Sequence, residues 1–272
     1  MPGTNRGGAL RNRALTAAAA GAAALVVLTA PVAHAEGRGD IRITKTVVDH
    51  GTNVIVGTKK TVEFPVAMTI RDNSGIKKVS HVSAFNTKNG FGPVDWTGTR
   101  CEKKSATTSV CTATMTIHPE WIRPYGEGGI EGWNANQVAG VWQVNATVNA
   151  NDRDYWISDN IARFKVKRAS VLTTDAGPEP VAKGGKLTVK GKLTRASWQS
   201  LKYWGYAGQP VKLQFKKAGS TKWSTVRTAT TSSNGSLSTK VTATAAGSWR
   251  WFFPGTTTTA QVTSAADAVA LK

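Results

Sequence analysis

Acidic residues, histidines and cysteines are scarce in this sequence, and their scarcity limits the chemistry that it can perform. The 272 residues include 16 Asp and Glu, four His and two Cys against 35 Lys and Arg, so the formal net charge is +19 at pH 7. Residues 169–272 contain no His, no Cys and three acids against 14 Lys and Arg. General acid–base catalysis depends on such side chains, and the motifs G-x-S-x-G and H-E-x-x-H do not occur. The sequence therefore indicates a protein that is not an enzyme.

Long apolar runs are missing beyond the first 30 residues. The N-terminus has three arginines followed by an Ala-rich apolar segment over residues 14–30, and Ala33 and Ala35 provide the small-x-small pattern that signal peptidase cleaves. We therefore predict a signal peptide at residues 1–35 and a secreted mature chain that begins at Glu36. No later segment approaches the ~20 apolar residues that a transmembrane helix needs, so we expect no transmembrane segment.

The two cysteines, Cys101 and Cys111, are separated by a polar segment rich in Ser and Thr. In an oxidising compartment two such cysteines form a disulfide, and this segment suits the loop of a β-hairpin. Closing a loop of about ten residues stabilises the fold by roughly 2–3 kcal/mol in the chain-entropy model. A zinc site would need additional His or Cys ligands nearby, and the closest histidine in sequence is His118.

Apolar residues alternate with polar residues along most of the chain, which is the pattern of strands with one buried face. In the segment PVKLQFKK, for example, Val211, Leu213 and Phe215 alternate with Lys212 and Lys216. Turn residues recur about every 8–12 positions, and nothing resembles an amphipathic helix of three turns. This spacing predicts an all-β fold of antiparallel sandwiches.

The distribution of charge divides the mature chain near residue 169. Residues 36–168 contain 18 basic and 13 acidic residues, whereas residues 169–272 contain 14 and three. We therefore predict an N-terminal sandwich at residues 36–168, which includes the disulfide hairpin, and a basic C-terminal sandwich at residues 169–272.

Several segments resemble exported bacterial proteins. GQPVKLQFKKAGSTKWSTVRTATTSSNGSLSTKVTATAAGSWRWFFPGT is similar to the immunoglobulin-like β-sandwich modules of secreted actinobacterial proteins, and DNSGIKKV and AGVWQV look like motifs of bacterial extracellular Ig-like repeats. Together with RASVLTTDAGPEPVAKGGKLTVKGKLTRA, they resemble a group of exported actinobacterial proteins, some of which are labelled calcium-binding. The resemblance implies two tandem immunoglobulin-like sandwiches. It implies little about activity, because sandwiches host many unrelated functions.

The stretch SWQSLKYWGYAG places four aromatic rings between a strand that ends at Leu193 and another that begins at Pro210. Rings on such a connection can stack on sugars or other polymers, and they can also turn inward to cap the end of a sandwich. Lysines on neighbouring strands would attract anionic groups. The candidate ligand-binding residues are Trp198, Tyr203, Trp204, Tyr206, Lys190, Lys192 and Lys212.

The segment NANDRDYWISDN contains enough oxygen donors for a calcium ion, which takes six to eight. Its spacing does not fit the EF-hand loop, so a solvated turn between two strands is the alternative. The candidate metal ligands are Asp152, Asp154 and Asp159. Apart from calcium, the sequence predicts no cofactor.

The loop at residues 118–133, HPEWIRPYGEGGIEGW, suggests a different function. It carries His118, Glu120, Glu127 and Glu131 among aromatic residues, and paired carboxylates in an aromatic cleft hydrolyse glycosides. A glycoside hydrolase is therefore the enzymatic alternative.

The sequence as a whole favours an exported, non-catalytic binding or structural protein. Its positive charge predicts association with anionic polymers or polysaccharides of the cell envelope or extracellular space, through a field that salt screens. We expect no specific recognition of nucleic acid. The other non-enzymatic alternative is a calcium-stabilised adhesive or structural protein.

Overall fold

The computed structural model describes residues 36–122 and 134–272, and the regular structure of these residues consists of strands joined by turns. The first nine strands are β1 (Glu36–Arg38), β2 (Arg42–Val48), β3 (Val54–Val56), β4 (Val62–Arg71), β5 (Ile76–Asn86), β6 (Asp95–Lys103), β7 (Thr108–Ile117), β8 (Gly140–Ala150) and β9 (Tyr155–Arg168). The strands that follow are β10 (Ser170–Leu172), β11 (Asp175–Gly177), β12 (Lys186–Ser197), β13 (Lys202–Gly205), β14 (Pro210–Lys217), β15 (Ser224–Thr230), β16 (Ser236–Thr242), β17 (Gly247–Phe253), β18 (Val262–Thr263) and β19 (Asp267–Val269). Short 3₁₀ turns lie at Asp49–Gly51, Pro119–Ile122 and Ala135–Val138.

The strands β1 to β9 form two sheets that enclose one hydrophobic core. One sheet has the order β1-β9-β8-β5, with β3 parallel to β9, and the other has the order β2-β4-β7-β6. Along β8, buried and half-buried residues alternate over all eleven positions, which is the pattern of a strand with one face in the core. Phe64 and Met115 from one sheet and Trp142 from the other are fully buried in this core. Each such side chain contributes about 1.5–3 kcal/mol through burial.

The strands β10 to β19 form a second pair of sheets. The long strand β12 pairs with β10, β11, β13 and β16, and the facing sheet has the order β15-β14-β17-β18, with β19 also on β17. Trp249, Trp251 and Phe253 alternate along β17 and are buried, as their spacing predicts. The predicted fold class, an all-β protein with tandem immunoglobulin-like antiparallel sandwiches, is confirmed.

The predicted disulfide between Cys101 and Cys111 is also confirmed. Cys101 and Cys111 are directly paired residues of the antiparallel strands β6 and β7. The disulfide therefore closes a hairpin, as the polar segment between the two cysteines predicts.

The two sandwiches meet around the junction between β9 and β10. Arg168, the last residue of β9, is buried, and its Nε donates a hydrogen bond to the carbonyl oxygen of Ala196 at 2.6 Å. Burial lowers the pKa of the Arg168 guanidinium to about 10, and the nearby charge of Arg195 adds to the effect. The sheets change at this junction, but the boundary at residues 168/169 stays a prediction because the N-terminal core also contains Trp198.

Two of the sequence predictions concern residues outside the described part of the chain. The signal peptide at residues 1–35 is one, and residues 123–133 of the proposed hydrolase loop are the other. Within the described part, no helix is both long and apolar enough to cross a membrane.

Candidate functional site

The aromatic stretch at residues 197–208 forms a hairpin and not the long connection that we predicted. Strand β12 continues past Leu193 to Ser197, and β13 pairs back onto it, with Ser197 opposite Lys202 and Thr194 opposite Gly205. The prediction was wrong because Ala196 and Ser197 look like loop residues in the sequence. Both are buried, and they accept hydrogen bonds from Arg168 and Asn136, respectively, of the N-terminal half.

Trp198 lies at the tip of this hairpin and is fully buried in the core of the N-terminal sandwich. Its indole Nε1 donates to the carbonyl oxygens of Val56, at 3.3 Å, and Gly57, at 3.0 Å. Its backbone N–H donates to Oδ1 of Asn136 at 2.9 Å. Trp198 therefore cannot stack on a ligand from solvent. Trp198 caps the N-terminal sandwich, although its position in the sequence lies in the C-terminal half.

The other three rings differ in exposure. Tyr206 is half-buried, with the Arg195 guanidinium 3.8 Å above its ring and Phe253 at its edge. Partial burial raises the pKa of Tyr203 above its ordinary value. Trp204 is 58% exposed and donates from Nε1 to Oγ of Ser200 at 2.8 Å. Trp204 is thus the ring of the four that presents most of its surface to solvent.

The predicted lysines lie on both outer faces of the C-terminal sandwich. Lys190 and Lys192 are exposed on β12, whereas Lys212 is exposed on β14 in the facing sheet. The predicted ring and lysine residues therefore do not converge on one place, and a ligand role for these lysines stays a prediction.

A basic groove, which the sequence analysis missed, lies where the edges of the two C-terminal sheets meet. It is a cavity of about 580 Å³ between β15 and β16. Lys186, Arg227 and Lys240 supply cationic groups, and Phe215 and Trp249 supply apolar surface. Among the described residues that line this basic groove, none is acidic.

Local hydrogen bonds and a β-bulge position the cations of the basic groove. Arg227 donates from Nη1 to Oγ1 of Thr239 at 3.2 Å, and Lys186 donates from Nζ to Oγ1 of Thr242 at 3.1 Å. Leu213 pairs with Arg227 and Gln214 pairs with Thr225, so Val226 is an extra residue in β15. Bulges of this kind redirect side chains at sheet edges. Periodicity alone does not reveal the bulge, which is why the groove was not predicted.

The outer face of β12 and β16 continues the positive surface beyond the basic groove. Lys186, Lys190 and Lys192 recur along β12, opposite hydroxyl residues of β16, and the pairing places Lys240 opposite Thr188. In the backbone register of β11 and β12, Asp175 lies opposite Lys190. At about 3.4 Å per residue, cations two to four positions apart are about 7–14 Å from one another, which is close to the Debye length of about 8–10 Å at physiological salt.

Three carboxylates converge at the edge of the N-terminal sandwich. Asp40, Asp72 and Asp154 each have an oxygen within 4.8 Å of the others. At this distance two unit charges repel by about 1 kcal/mol in water and about 3–4 kcal/mol at an effective dielectric constant of about 20. In the described part of the chain, no Lys or Arg nitrogen lies within 4.0 Å of these carboxylates.

The metal ligands predicted from sequence do not all lie together, and a metal-binding role for them stays a prediction. Asp154 belongs to the three-carboxylate group, but Asp152 and Asp159 do not. Oδ1 of Asp152 accepts a hydrogen bond from the backbone of Asp154. Asp159 lies within β9, where its carbonyl oxygen accepts a hydrogen bond from Gln143. The first residues of β9 separate Asp159 from the turn that precedes this strand. The count of oxygen donors in the sequence did not take this separation into account.

The described end of the proposed hydrolase loop is a ring contact. Nδ1 of His118 lies 2.9 Å from Oγ1 of Thr61, and its imidazole lies 3.8 Å from the Trp121 ring. Glu127 and Glu131 lie outside the described residues. Glycoside hydrolysis depends on the distance between two carboxylates. The described part of this loop does not contain such a pair.

Comparisons with known proteins give only low-scoring structural similarities. No protein-family model and no curated protein matches the sequence. Among solved structures, the chain is similar to the D00-D0 domain of intimin, with 13% identity, coverage of 85% of this chain and 98% of that chain, and a TM-score of 0.27. A chimeric titin Z1Z2 gives 14% identity, 89% and 98% coverage, and a TM-score of 0.24. The three N-terminal domains of the bacteriophage RB49 outer capsid protein Hoc give 11% identity, 88% and 71% coverage, and a TM-score of 0.28. With scores this low, function has to be argued from the chain's own geometry.

Proposed function

We propose that this protein is an exported, non-catalytic binding protein that associates with anionic polymers of the cell envelope through the basic groove between β15 and β16. The observation that carries the proposal is the composition of that groove. Three cations, Lys186, Arg227 and Lys240, line the groove together with Phe215 and Trp249, and no acidic residue is among the described lining residues.

The chemistry of the groove cations suits phosphate or carboxylate groups that repeat along a chain. The Arg227 guanidinium can donate two parallel hydrogen bonds to one such group, whereas Lys186 and Lys240 act as point charges. The charge of residues 169–272, with 14 basic residues against three acids, attracts a polyanion over a longer range. Lys190 and Lys192 extend this attraction along β12.

The same geometry disfavours two other classes of ligand. Trp249 is almost fully buried, so its indole has no free face for a nucleobase, and base stacking is the main short-range contact of single-stranded nucleic acid. Trp204 is exposed, but it lies on β13 and does not line the basic groove. A groove that offers positive charge but no ring for stacking suits a polymer of phosphate or carboxylate groups. It suits single-stranded nucleic acid or a neutral sugar less well.

Export is supported by the disulfide and by the N-terminal sequence. The Cys101–Cys111 bond fits an oxidising compartment. The pattern of residues 1–35 and the resemblance to exported actinobacterial proteins point in the same direction. A location outside the cytoplasm, at or near the envelope, is therefore part of the proposal.

The test is binding of long-chain inorganic polyphosphate, with sodium polyglutamate as a carboxylate polymer, measured by calorimetry at several salt concentrations. The groove variant carries Lys186→Gln, Arg227→Gln and Lys240→Gln. Because this variant lacks three cations that would pair with phosphate groups, the slope of log affinity against log salt should become shallower by about 2. As salt rises from about 50 to 200 mM, both proteins should lose affinity. The fold-loss of the variant should be about 20 times smaller than the fold-loss of the wild type.

A control variant separates the groove from total charge. Lys45, Lys59 and Lys60 are exposed on the N-terminal sandwich, and changing all three to Gln removes the same net charge. We expect this control to bind nearly as the wild type does. Equal losses of polymer affinity in the two variants would show that total charge alone drives association. Absence of wild-type binding to either polymer would overturn the proposal.

A further inference from the structure

We infer that Asp40, Asp72 and Asp154 form a calcium site at the edge of the N-terminal sandwich. The three residues come from different segments: Asp40 follows β1, Asp72 follows β4, and Asp154 precedes β9. This inference is independent of the proposed polymer binding, which concerns the other sandwich.

Asp72 gives the strongest indication, because one of its oxygens is buried without a partner. The residue is only 3% exposed. Its Oδ1 accepts hydrogen bonds from the backbone N–H of Ser74 at 2.8 Å and from Oγ of Ser74 at 2.6 Å. Its Oδ2 is buried and has no hydrogen-bond partner. A buried carboxylate oxygen without a partner is unfavourable, and a cation held by this group would supply one.

The three segments are tied to one another, so the carboxylates are held together before any ion binds. Oδ2 of Asp154 accepts from the backbone N–H of Asp40 at 3.2 Å, and Oδ1 of Asp40 accepts from that of Asn73 at 3.3 Å. Nδ2 of Asn151 donates to the carbonyl oxygen of Ser74 at 2.8 Å. A preformed arrangement reduces the ordering that an ion would otherwise have to impose.

Gly39 makes the approach of Asp40 to Asp154 possible. Its φ is +92°, a left-handed conformation that favours glycine. A Cβ at this position would lie 1.4 Å from Oδ2 of Asp154. The segment can therefore reach the Asp154 carboxylate only because residue 39 has no side chain.

The donor atoms indicate the class of ion. The three residues offer only carboxylate oxygens, which select hard cations over zinc or copper. Three segments of irregular backbone suit calcium, which accepts variable geometry and six to eight oxygens, better than magnesium, which demands a near-ideal octahedron. Three carboxylates supply three to six oxygens, and water would complete the shell. Asp40 and Asp72 line a cavity of about 380 Å³ together with Arg42 and Arg71, but neither arginine forms an ion pair with the described carboxylates.

A calcium ion bound at this site would attach the N-terminal segment, residues 36–40, to the rest of the sandwich. Strand β1 is held to β9 by three paired residues, and residues 36–40 are exposed. An ion shared by Asp40 and Asp154 would fasten this short strand to the turn that precedes β9. Because the ion binds only the folded state, it should also raise the melting temperature.

The experiment compares calcium chloride with EDTA, using calorimetric titration and the melting temperature of the purified protein. At about 100 times its dissociation constant, calcium should raise the melting temperature by about 5–10 °C. Asp40→Asn and Asp154→Asn should each abolish this rise and the heat of binding. Both residues are at least partly exposed, so these variants should still fold. Asp159→Asn is the matched control, because Asp159 lies on β9 outside the group, and it should respond as the wild type does.

Two outcomes would overturn the assignment. One is the absence of any calcium-dependent heat or melting shift in the wild type. The other is a response that survives in Asp40→Asn and Asp154→Asn or disappears in Asp159→Asn. A shift of equal size with magnesium would contradict calcium as the ion. Polyphosphate binding by Asp40→Asn should be unchanged, so failure of the calcium site and failure of the polymer proposal are distinguishable.

Discussion

Replacing Trp198 by Ala should destabilise the N-terminal sandwich, although residue 198 belongs to the C-terminal half of the sequence. Trp198 is fully buried in the N-terminal core, and truncation of a buried Trp to Ala costs about 3–5 kcal/mol. The carbonyl oxygen of Val56 would keep the hydrogen bond from the N–H of Ala169, whereas that of Gly57 would lose its donor. For a protein of this size, a loss of about 4 kcal/mol lowers the melting temperature by roughly 8–16 °C.

Urea denaturation followed by far-UV circular dichroism would measure this loss. Trp204→Ala is the matched control, because it removes the same ring from the same hairpin at a position that is 58% exposed, and exposed substitutions usually change stability by about 0.5 kcal/mol or less. A loss below about 1 kcal/mol for Trp198→Ala, or equal losses for the two variants, would refute the conclusion that this indole joins the two sandwiches.

Three further predictions concern separate parts of the chain. Gly39→Ala should destabilise the segment before Asp40 and weaken calcium binding, because its Cβ would overlap the Asp154 carboxylate; calorimetric titration with calcium would measure this. Reduction of the Cys101–Cys111 disulfide should lower the free energy of unfolding by roughly 2–3 kcal/mol, and equal urea midpoints with and without reductant would count against it. Partial burial raises the pKa of Tyr203, so its contribution to stability is complete below the unfolded pKa near 10 and is lost as pH rises through the higher folded value. Tyr203→Phe should therefore lessen the loss of stability above pH ~10, which melting temperatures measured across that range would check.

The strands were predictable because their periodicity is local. Alternation along β8 and β17 identifies the buried face directly, and the polar segment between Cys101 and Cys111 identifies a hairpin. Trp198 shows the limit of this reasoning. Its neighbours in sequence are polar and aromatic, and nothing local indicates that its partners, Val56 and Gly57, lie about 140 residues earlier.

The two candidate sites were hidden for a related reason. The basic groove combines Lys186, Arg227 and Lys240 from three strands, and a bulge in β15 sets the position of Arg227. Of the carboxylate group, only Asp154 is among the metal ligands predicted from sequence, because Asp40 and Asp72 become its neighbours through the pairing of β1 with β9 and the contact between two turns. Sites assembled by register and by turn contacts need the three-dimensional fold.

Polymer binding in the basic groove can be tested directly by titrating the isotope-labelled protein with polyphosphate and following backbone amide shifts in ¹H–¹⁵N NMR spectra. Polymer binding in the basic groove should give the largest shifts at the edge of the C-terminal sandwich around Lys186, Arg227 and Lys240. Shifts concentrated at the Trp204 hairpin, or spread evenly over the lysines of both sandwiches, would contradict it.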